Sequence, residues 1–231
     1  MDMHTLIFGI YPYVATTVFL LGSWIRFDNE QYTWKSDSSQ LLSKKGLRVA
    51  SNFFHIGIIA LFFGHIVGLL TPHGIFLALG VSDIAHQWTA ITAGMIFGTL
   101  CFIGGVMLWV RRMFNSRVRA ASRWMDINIL GWLVLTVFLG LSTLPVSISH
   151  ATEGNAATMI LLSEWVQSIL YLHPDPELLR DVSLVYKLHI FVGMSVFLFF
   201  PFTRLVHVWS APIGYLFRAY QIVRSKRLIA R

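Results

Sequence analysis

The chain has 231 residues, of which 55% are hydrophobic and only 13% charged, with 17 glycines and 8 tryptophans. This is the composition of a membrane protein, not a soluble one. A net charge of +7 would suit a nucleic-acid binder, but its confinement to particular connections excludes that class. The single cysteine, Cys101, excludes an internal disulfide, a CxxCH haem attachment and an iron–sulfur cluster ligated by this chain alone. Cys101 reads instead as a buried packing thiol.

Apolar runs occur at about 4–25, 49–71, 88–110, 127–147 and 184–209. Each exceeds the roughly 20 residues needed to cross a hydrocarbon core of about 30 Å. They predict an all-α membrane protein, a bundle of five transmembrane helices forming one domain over residues 1–231. The first run lacks a basic n-region and a small-residue cleavage site, so it reads as a retained helix rather than a signal peptide. It carries Tyr11, Pro12 and Tyr13 and ends at Trp24–Arg26. A polar connection follows, with a short amphipathic turn expected after Ser39. The second run starts near Arg48 and closes at Thr71-Pro72-His73-Gly74, a Pro/Gly stop. The third runs from about Gln87 to Arg111-Arg112, and its Gly94, Gly98, Gly104 and Gly105 permit close helix approach in lipid.

The fourth run begins at Asp126 and is expected to end near Pro145. The next connection is the longest and predicts an interfacial helix over 157–172, with Trp165 and Tyr171 at headgroup depth. The fifth run passes through His189 and over Pro201, where a kink is expected. Residues 213–231 form a tail with Tyr215, Phe217 and Tyr220 among basic residues. That tail suits a partner subunit or a surface of anionic lipid.

Sixteen of the eighteen Lys and Arg residues fall at the ends of runs or in connections that lie on one side of a five-helix topology. Only Arg180 and Lys187 fall on the other. The positive-inside rule therefore puts the N-terminus outside (periplasmic) and the C-terminus in the cytoplasm.

Direction gives meaning to four histidines that sit two to a run: His55 and His65 in the second, His189 and His207 in the fifth. Metal-ligating side chains within the bilayer are costly and rare, which makes each a functional candidate. The second run travels outward and the fifth inward, so His65 matches His189 in depth near the outside, and His55 matches His207 near the inside. Bis-imidazole ligation of two b-type haems is the chemistry this arrangement fits best. Zinc is disfavoured, since no Cys or carboxylate accompanies these histidines at their depths. Ten residues separate the first pair along the chain and eighteen the second, which is about 15 Å against about 27 Å of helix. Tilt, the Pro201 kink and diagonal ligation must share the difference. Gly57, Gly64, Gly68 and Gly193 stand where flat macrocycles would need room. His4, His150 and His173 read as exposed or interfacial, while His73 and His86 fall at the outer membrane edge.

Several segments carry a resemblance: Tyr32-Thr33-Trp34, Ser38-Ser39-Gln40-Leu41, Ser51-Asn52-Phe53-Phe54-His55-Ile56-Gly57 and Gly64-His65. To these are added Arg111-Arg112 with Arg117-Val118-Arg119, and Pro201-Phe202-Thr203-Arg204-Leu205-Val206-His207. Over about residues 10–225 the chain resembles the gamma subunit of respiratory nitrate reductase. The resemblance implies a multi-pass bacterial inner-membrane cytochrome b with two haem b groups. It implies that the subunit oxidises quinol (menaquinol or ubiquinol), does not reduce nitrate by itself, and anchors two cytoplasmic partners. These are an iron–sulfur beta subunit and a molybdenum-containing alpha subunit. It assigns His55 and His207 to the haem iron proximal to those partners, and His65 and His189 to the distal one. Some members carry a quinol-site lysine near the start of the third helix. Here Ile84-Ala85-His86-Gln87-Trp88 has none, and His86 stands as its substitute.

Quinol is then expected near the outer haem, bounded by His65, Gly68, His86 and His73. A neutral histidine, with a reference pKa of about 6.5, can take a quinol proton and pass it outward. Electrons would cross inward to the cytoplasmic clusters, working against about 2.3 kcal/mol per charge for each 100 mV of potential. Arg111, Arg112 and Arg204, at the inner edge, suit haem propionates, or are ordinary flanking charge. Competing readings are a cytochrome b of a related quinone-linked complex, with a heterodisulfide- or sulfite-linked acceptor or a nitrite oxidoreductase, a haem-free transporter with a histidine proton relay, and a plain structural anchor. The last two predict no haem.

Overall fold

The computed structural model describes residues 2–35, 39, 41–43, 45–211 and 217. The tail 213–231 lies outside the described residues except for Phe217, which is exposed. The amphipathic turn expected after Ser39 likewise falls partly outside them. Among the described residues the regular structure is entirely helical.

Five helices are long and apolar enough to span a membrane. In chain order, α1 covers Met3–Asn29 and α2 Leu47–Leu70. A short α3, His73–Ala78, follows the Pro72 stop. Next come α4, Asp83–Phe114, and a short α5, Ser116–Ala120. The span α6 covers Trp124–Thr152, α7 is Ala157–Leu170 at the expected interfacial position, and α8 is Leu184–Phe199. The expected five-span, all-α architecture is present.

Two spans end differently from expectation. The fourth does not stop at Pro145 but continues to Thr152, after a short break at Thr143. Pro145 sits in the first turn of the resumed segment, where a missing N–H breaks no helical hydrogen bond. The fifth is not helical to residue 209. It changes to 3₁₀ turns at Phe200–Phe202 and Arg204–Ser210, with Thr203 between them extended at φ −120°, ψ 178°. Pro201 is the cause, because its nitrogen cannot donate to the helical ladder.

The spans pack in the order α2, α4, α6, α8, α1, each chiefly against the next. The α2–α4 seam is the tightest, and glycine makes it so. A Cβ on Gly57 would stand 2.6 Å from the Cβ and backbone N of Cys101, and one on Gly104 would collide with the backbone of Phe54 and Ala50. Small residues let helix backbones meet in lipid, where no hydrophobic force drives them together. Gly98 on Leu141 and Gly105 on Val134 extend the same device to α6. Cys101 is fully buried in this seam. α2 and α8 are not among the closely packed neighbours, so their facing sides bound a cleft.

One end of the bundle is sealed by Phe8, Trp165, Leu179, Val182 and Tyr186. There Trp165 Nε1 donates to the Phe8 carbonyl at 2.9 Å, within the π-turn preceding Pro12. Gln167 on α7 donates to the carbonyls of Leu69 and Thr71 at 3.0 and 3.3 Å. It thereby satisfies acceptors that the end of α2 leaves open. The opposite end carries Arg26, Arg48, Arg111, Arg112, Arg123 and Arg204 and is the basic end of the bundle.

Candidate functional site: a two-tiered histidine cleft

The four span histidines all face the cleft between α2 and α8. At the sealed end, the His65 and His189 rings meet with centroids 6.3 Å apart and planes at 45°. At the basic end, His55 and His207 line one cavity of about 660 Å³, which lies within the range of cofactor sites. His65 thus lies beside His189, and His55 shares its cavity with His207, on spans that run antiparallel.

The spacing difference is largely accounted for by the break in α8. The chain leaves the helix axis at Thr203, so only residues 189 to 202 advance along it, about 20 Å rather than about 27 Å. The segment beyond folds back. Trp209 stacks on Phe19 at 5.4 Å and meets Phe200 edge-on at 6.2 Å. Arg26 Nη1 donates to the carbonyls of Pro201 and Thr203 at 2.6 and 2.8 Å. Trp34 Nε1 donates to Ser210 Oγ at 2.7 Å. The remaining mismatch of about 5 Å is within reach of helix tilt.

All four rings are held in one way. His55 Nδ1 lies 2.7 Å from the Ser51 carbonyl, and His65 Nδ1 2.7 Å from that of Leu61. His189 Nδ1 lies 3.1 Å from the Thr136 carbonyl and His207 Nδ1 2.6 Å from that of Arg204. A carbonyl can only accept, so each Nδ1 carries the proton and each Nε2 keeps its lone pair. Metal-ligating histidines are oriented by this same second-nitrogen contact. The 6.3 Å centroid separation also suits one metal between two imidazoles, with bonds of about 2 Å on each side plus the ring radii. The donor set, imidazole nitrogens with their lone pairs free, fits haem iron, which His65 with His189 and His55 with His207 would hold.

The glycines divide differently from expectation. Gly64 faces open space, and the ring nitrogen Nε2 of His86 lies 3.7 Å from where a Cβ on Gly68 would stand. Gly57 borders no open space and serves the α2–α4 seam, whereas a Cβ on Gly193 would meet only the Thr136 methyl at 3.8 Å. Sequence spacing could not separate lipid-packing glycines from cofactor-clearing ones. Nor does spacing point to Gly140. A Cβ there would stand 2.9 Å from His189 Cε1, so this glycine is the floor on which that ring lies.

The basic-end cavity is walled by Arg48, Arg111, Arg112 and Arg204 together with Ser51 and Asp126. Arg111 donates to Ser39 Oγ at 2.7 Å and to the Ser43 carbonyl at 2.6 Å, tying the α1–α2 connection to α4. Arg112 is buried, donates to Ser122 Oγ at 2.9 Å and lies 3.9 Å from Asp126. The expected guanidiniums are thus gathered on one cavity beside His55 and His207, and two of them also brace the fold.

At the sealed end, His73 Nδ1 lies 3.2 Å from Asp83 Oδ1, and the His86 ring stacks on Phe76 with centroids 4.0 Å apart. His86 and Gly68 come together as expected. Of the remaining histidines, His173 is exposed, whereas His4 is half-buried with its Nε2 2.7 Å from the Pro176 carbonyl. His150 is also half-buried, and its Nδ1 is buried without a hydrogen-bond partner.

Fold and site together define a five-span helical membrane protein with a cleft of paired histidines in two tiers. Residues 4–226 match the family described as nitrate reductase gamma subunit. Respiratory nitrate reductase 2 gamma chain of Escherichia coli (strain K12) is 48% identical over 226 residues, covering 97% of this chain and 98% of its own length. Respiratory nitrate reductase 1 gamma chain of the same organism is 46% identical over 225 residues, with the same coverage. The nitrate reductase gamma chain of Bacillus subtilis (strain 168) is 36% identical over 221 residues, covering 96% and 98%. The chain belongs to the nitrate reductase gamma subunit family. It is a multi-pass bacterial inner-membrane subunit of a respiratory nitrate reductase, an oxidoreductase complex of electron transport.

Proposed function

We propose that this subunit is a dihaem cytochrome b that oxidises quinol at the sealed end of the bundle and delivers electrons at the basic end. One observation carries this reading: all four cleft histidines hold Nδ1–H on a backbone carbonyl and leave Nε2 free, with His65 facing His189 and His55 lining one cavity with His207. His65 and His189 would hold the haem nearer the quinol, and His55 and His207 the haem nearer the partner subunits. When bound, each haem supplies a one-electron carrier, so that a two-electron donor can feed single-electron acceptors.

The chain's own residues account for the rest. His65 and His189 are fixed in rotation by the Leu61 and Thr136 carbonyls, so the ligating lone pairs cost little ordering on binding. His86, held flat on Phe76, points Nε2 toward Gly68, one turn beyond His65. A quinol hydroxyl reaching His86 would give its proton to Nε2, the general-base role of a neutral imidazole. At the basic end Arg48, Arg111, Arg112 and Arg204 supply positive charge for carboxylate groups in the cavity beside His55 and His207.

Positive-inside charge puts the basic end in the cytoplasm, with quinol protons released on the opposite face. An iron–sulfur subunit and a molybdenum subunit would cover the basic end. Tyr32 (96% exposed) and Leu41 (94%) stand in the connection at that end, apolar surface of the kind a partner buries.

Reduced-minus-oxidised spectra of the purified complex test the reading. Two b-type signals are expected, one of which His65→Ala removes together with quinol oxidation. A wild-type spectrum with no haem, or retention of both signals in the variant, overturns it.

A further inference from the structure

The mouth of the cleft at the sealed end carries a second pair of ionisable groups that neither haem ligation nor quinol contact uses. His73 and Phe76 are three residues apart on α3, and Asp83 and His86 are three residues apart on α4. That spacing puts each two on one face of their helix. The faces meet twice: His73 Nδ1 lies 3.2 Å from Asp83 Oδ1, and Phe76 stacks on His86 at 4.0 Å. Gly80, at φ +76°, gives the turn that brings α3 against α4. His73 and Asp83 remain about a third exposed, at 36% and 33% of their side chains. His86 faces inward to Gly68. The titratable groups facing His73 from α4, the element packed on α3, are Asp83 and His86.

We propose that the His73–Asp83 pair is the proton outlet of the quinol site, an inference that rests on the quinol-oxidising reading. Oxidising one quinol to quinone breaks two O–H bonds and yields two protons and two electrons, with haem b as the one-electron oxidant. The first proton forms an N–H bond at His86 Nε2. His86 must lose it before the second O–H proton can follow. His73, whose Nδ1–H faces the Asp83 carboxylate at 3.2 Å and whose Nε2 is left to accept, would receive it through water at the rim. The carboxylate stabilises the imidazolium so formed, and the partly exposed ring then returns the proton to bulk water.

The test uses the assembled complex in native membranes, with wild type, Asp83→Asn and His73→Gln compared. The expected result is a ten-fold or larger fall in kcat for quinol oxidation with KM changed less than two-fold. The pH–rate profile should steepen, because bulk buffer becomes the acceptor, and added imidazole should restore much of the lost rate. A quinone-analogue inhibitor, titrated by fluorescence quenching, should bind both variants with wild-type affinity. Unchanged kcat in Asp83→Asn overturns the outlet. So does a loss that imidazole does not rescue and that raises the inhibitor Kd, which would make the pair a brace for α3. Wild-type complex that fails to oxidise quinol overturns the underlying reading instead, so the two failures are distinct.

Discussion

His65 on α2 and His189 on α8 face each other at 6.3 Å, although the helices that carry them are not close neighbours in the packing. The side chains bridge a cleft that the backbone leaves open. Two imidazoles facing across that cleft are what the proposed outer haem requires. His189→Ala is therefore expected to remove the haem signal that His65→Ala removes, and His55→Ala the one that His207→Ala removes. Spectra and haem-to-protein ratios of the four variants should fall into two matching pairs, each with about half the wild-type haem. A different grouping would break the tier assignment.

The floor beneath His189 gives a finer probe. A methyl group on Gly140 would stand 2.9 Å from Cε1 and 3.4 Å from both ring nitrogens. The ring must tilt or rise, weakening its 3.1 Å contact to the Thr136 carbonyl. Overpacking of this kind costs about 1–3 kcal/mol. Gly140→Ala should shift the electron-paramagnetic signal and midpoint potential of the His65–His189 haem and leave the other haem unchanged. Gly74→Ala, where a Cβ meets nothing within 4 Å, serves as the control.

What could be read from the chain alone divides by kind of interaction. Span number and approximate position follow from apolar length, and the histidine pairs follow from charge asymmetry, because both signals are one-dimensional. Two things were not legible. The role of a glycine depends on which helix lies opposite, so Gly57 looked like Gly64 but packs against protein. Gly140, remote in sequence from every histidine of the cleft, gave no signal at all. The path of the chain after Pro201 also escaped, since a proline announces a break but not the direction taken beyond it. Arg26 and Trp34, which hold that direction, lie far away in sequence.

The α2–α4 seam should be the most sensitive point for assembly. α2 has only Ala50 and Gly57 buried, so its attachment depends on a narrow stripe. At Gly104 a Cβ meets the Phe54 and Ala50 backbone, which cannot step aside as a flexible side chain can. Gly104→Val is expected to push α2 away, lower thermal stability in detergent by about 2 kcal/mol or more, and reduce both haems together, since α2 carries His55 and His65. Selective loss of one haem would argue against a seam effect.

The extramembrane contacts near the N-terminus predict a pH response of definite sign. Thr5 hydrogen bonds, followed by Arg180, hold the Asp2 carboxyl well below the usual carboxylate range, and Arg180 does the same for Glu177. A carboxylate lowered in the folded state stabilises it above the unfolded pKa of about 4 and loses that contribution as pH falls. All three groups are exposed, so the effect is small. Acid titration followed by Trp165 fluorescence should show the N-terminal turn loosening below about pH 4. In Arg180→Ala the acid-dependent part of the loosening should shrink, because both carboxyls then titrate closer to their unfolded value. Identical titrations would remove Arg180 as the cause.

The bend after α8 yields the last expectation. Arg26 reaches from α1 to the carbonyls of Pro201 and Thr203 and, through Nη2, to that of Thr33 at 3.1 Å. The Pro201 carbonyl has no helical donor, because Leu205 N–H turns instead to Thr203 Oγ1 where the chain becomes extended, and a charged donor is worth about 1.5–3 kcal/mol at such a site. His207 lies beyond the bend and His189 before it, so only His207 depends on the direction the chain takes there. Arg26→Ala should therefore lower or broaden the signal of the haem assigned to His55 and His207 and slow electron delivery to the partner subunits. The His65–His189 haem should remain reducible by quinol. Arg26→Lys, which keeps a donor for the bend carbonyls but lacks the second nitrogen that reaches Thr33, should fall between wild type and Arg26→Ala. Equal loss of both haems in Arg26→Ala would mean that the residue serves the bundle as a whole and not the placement of His207.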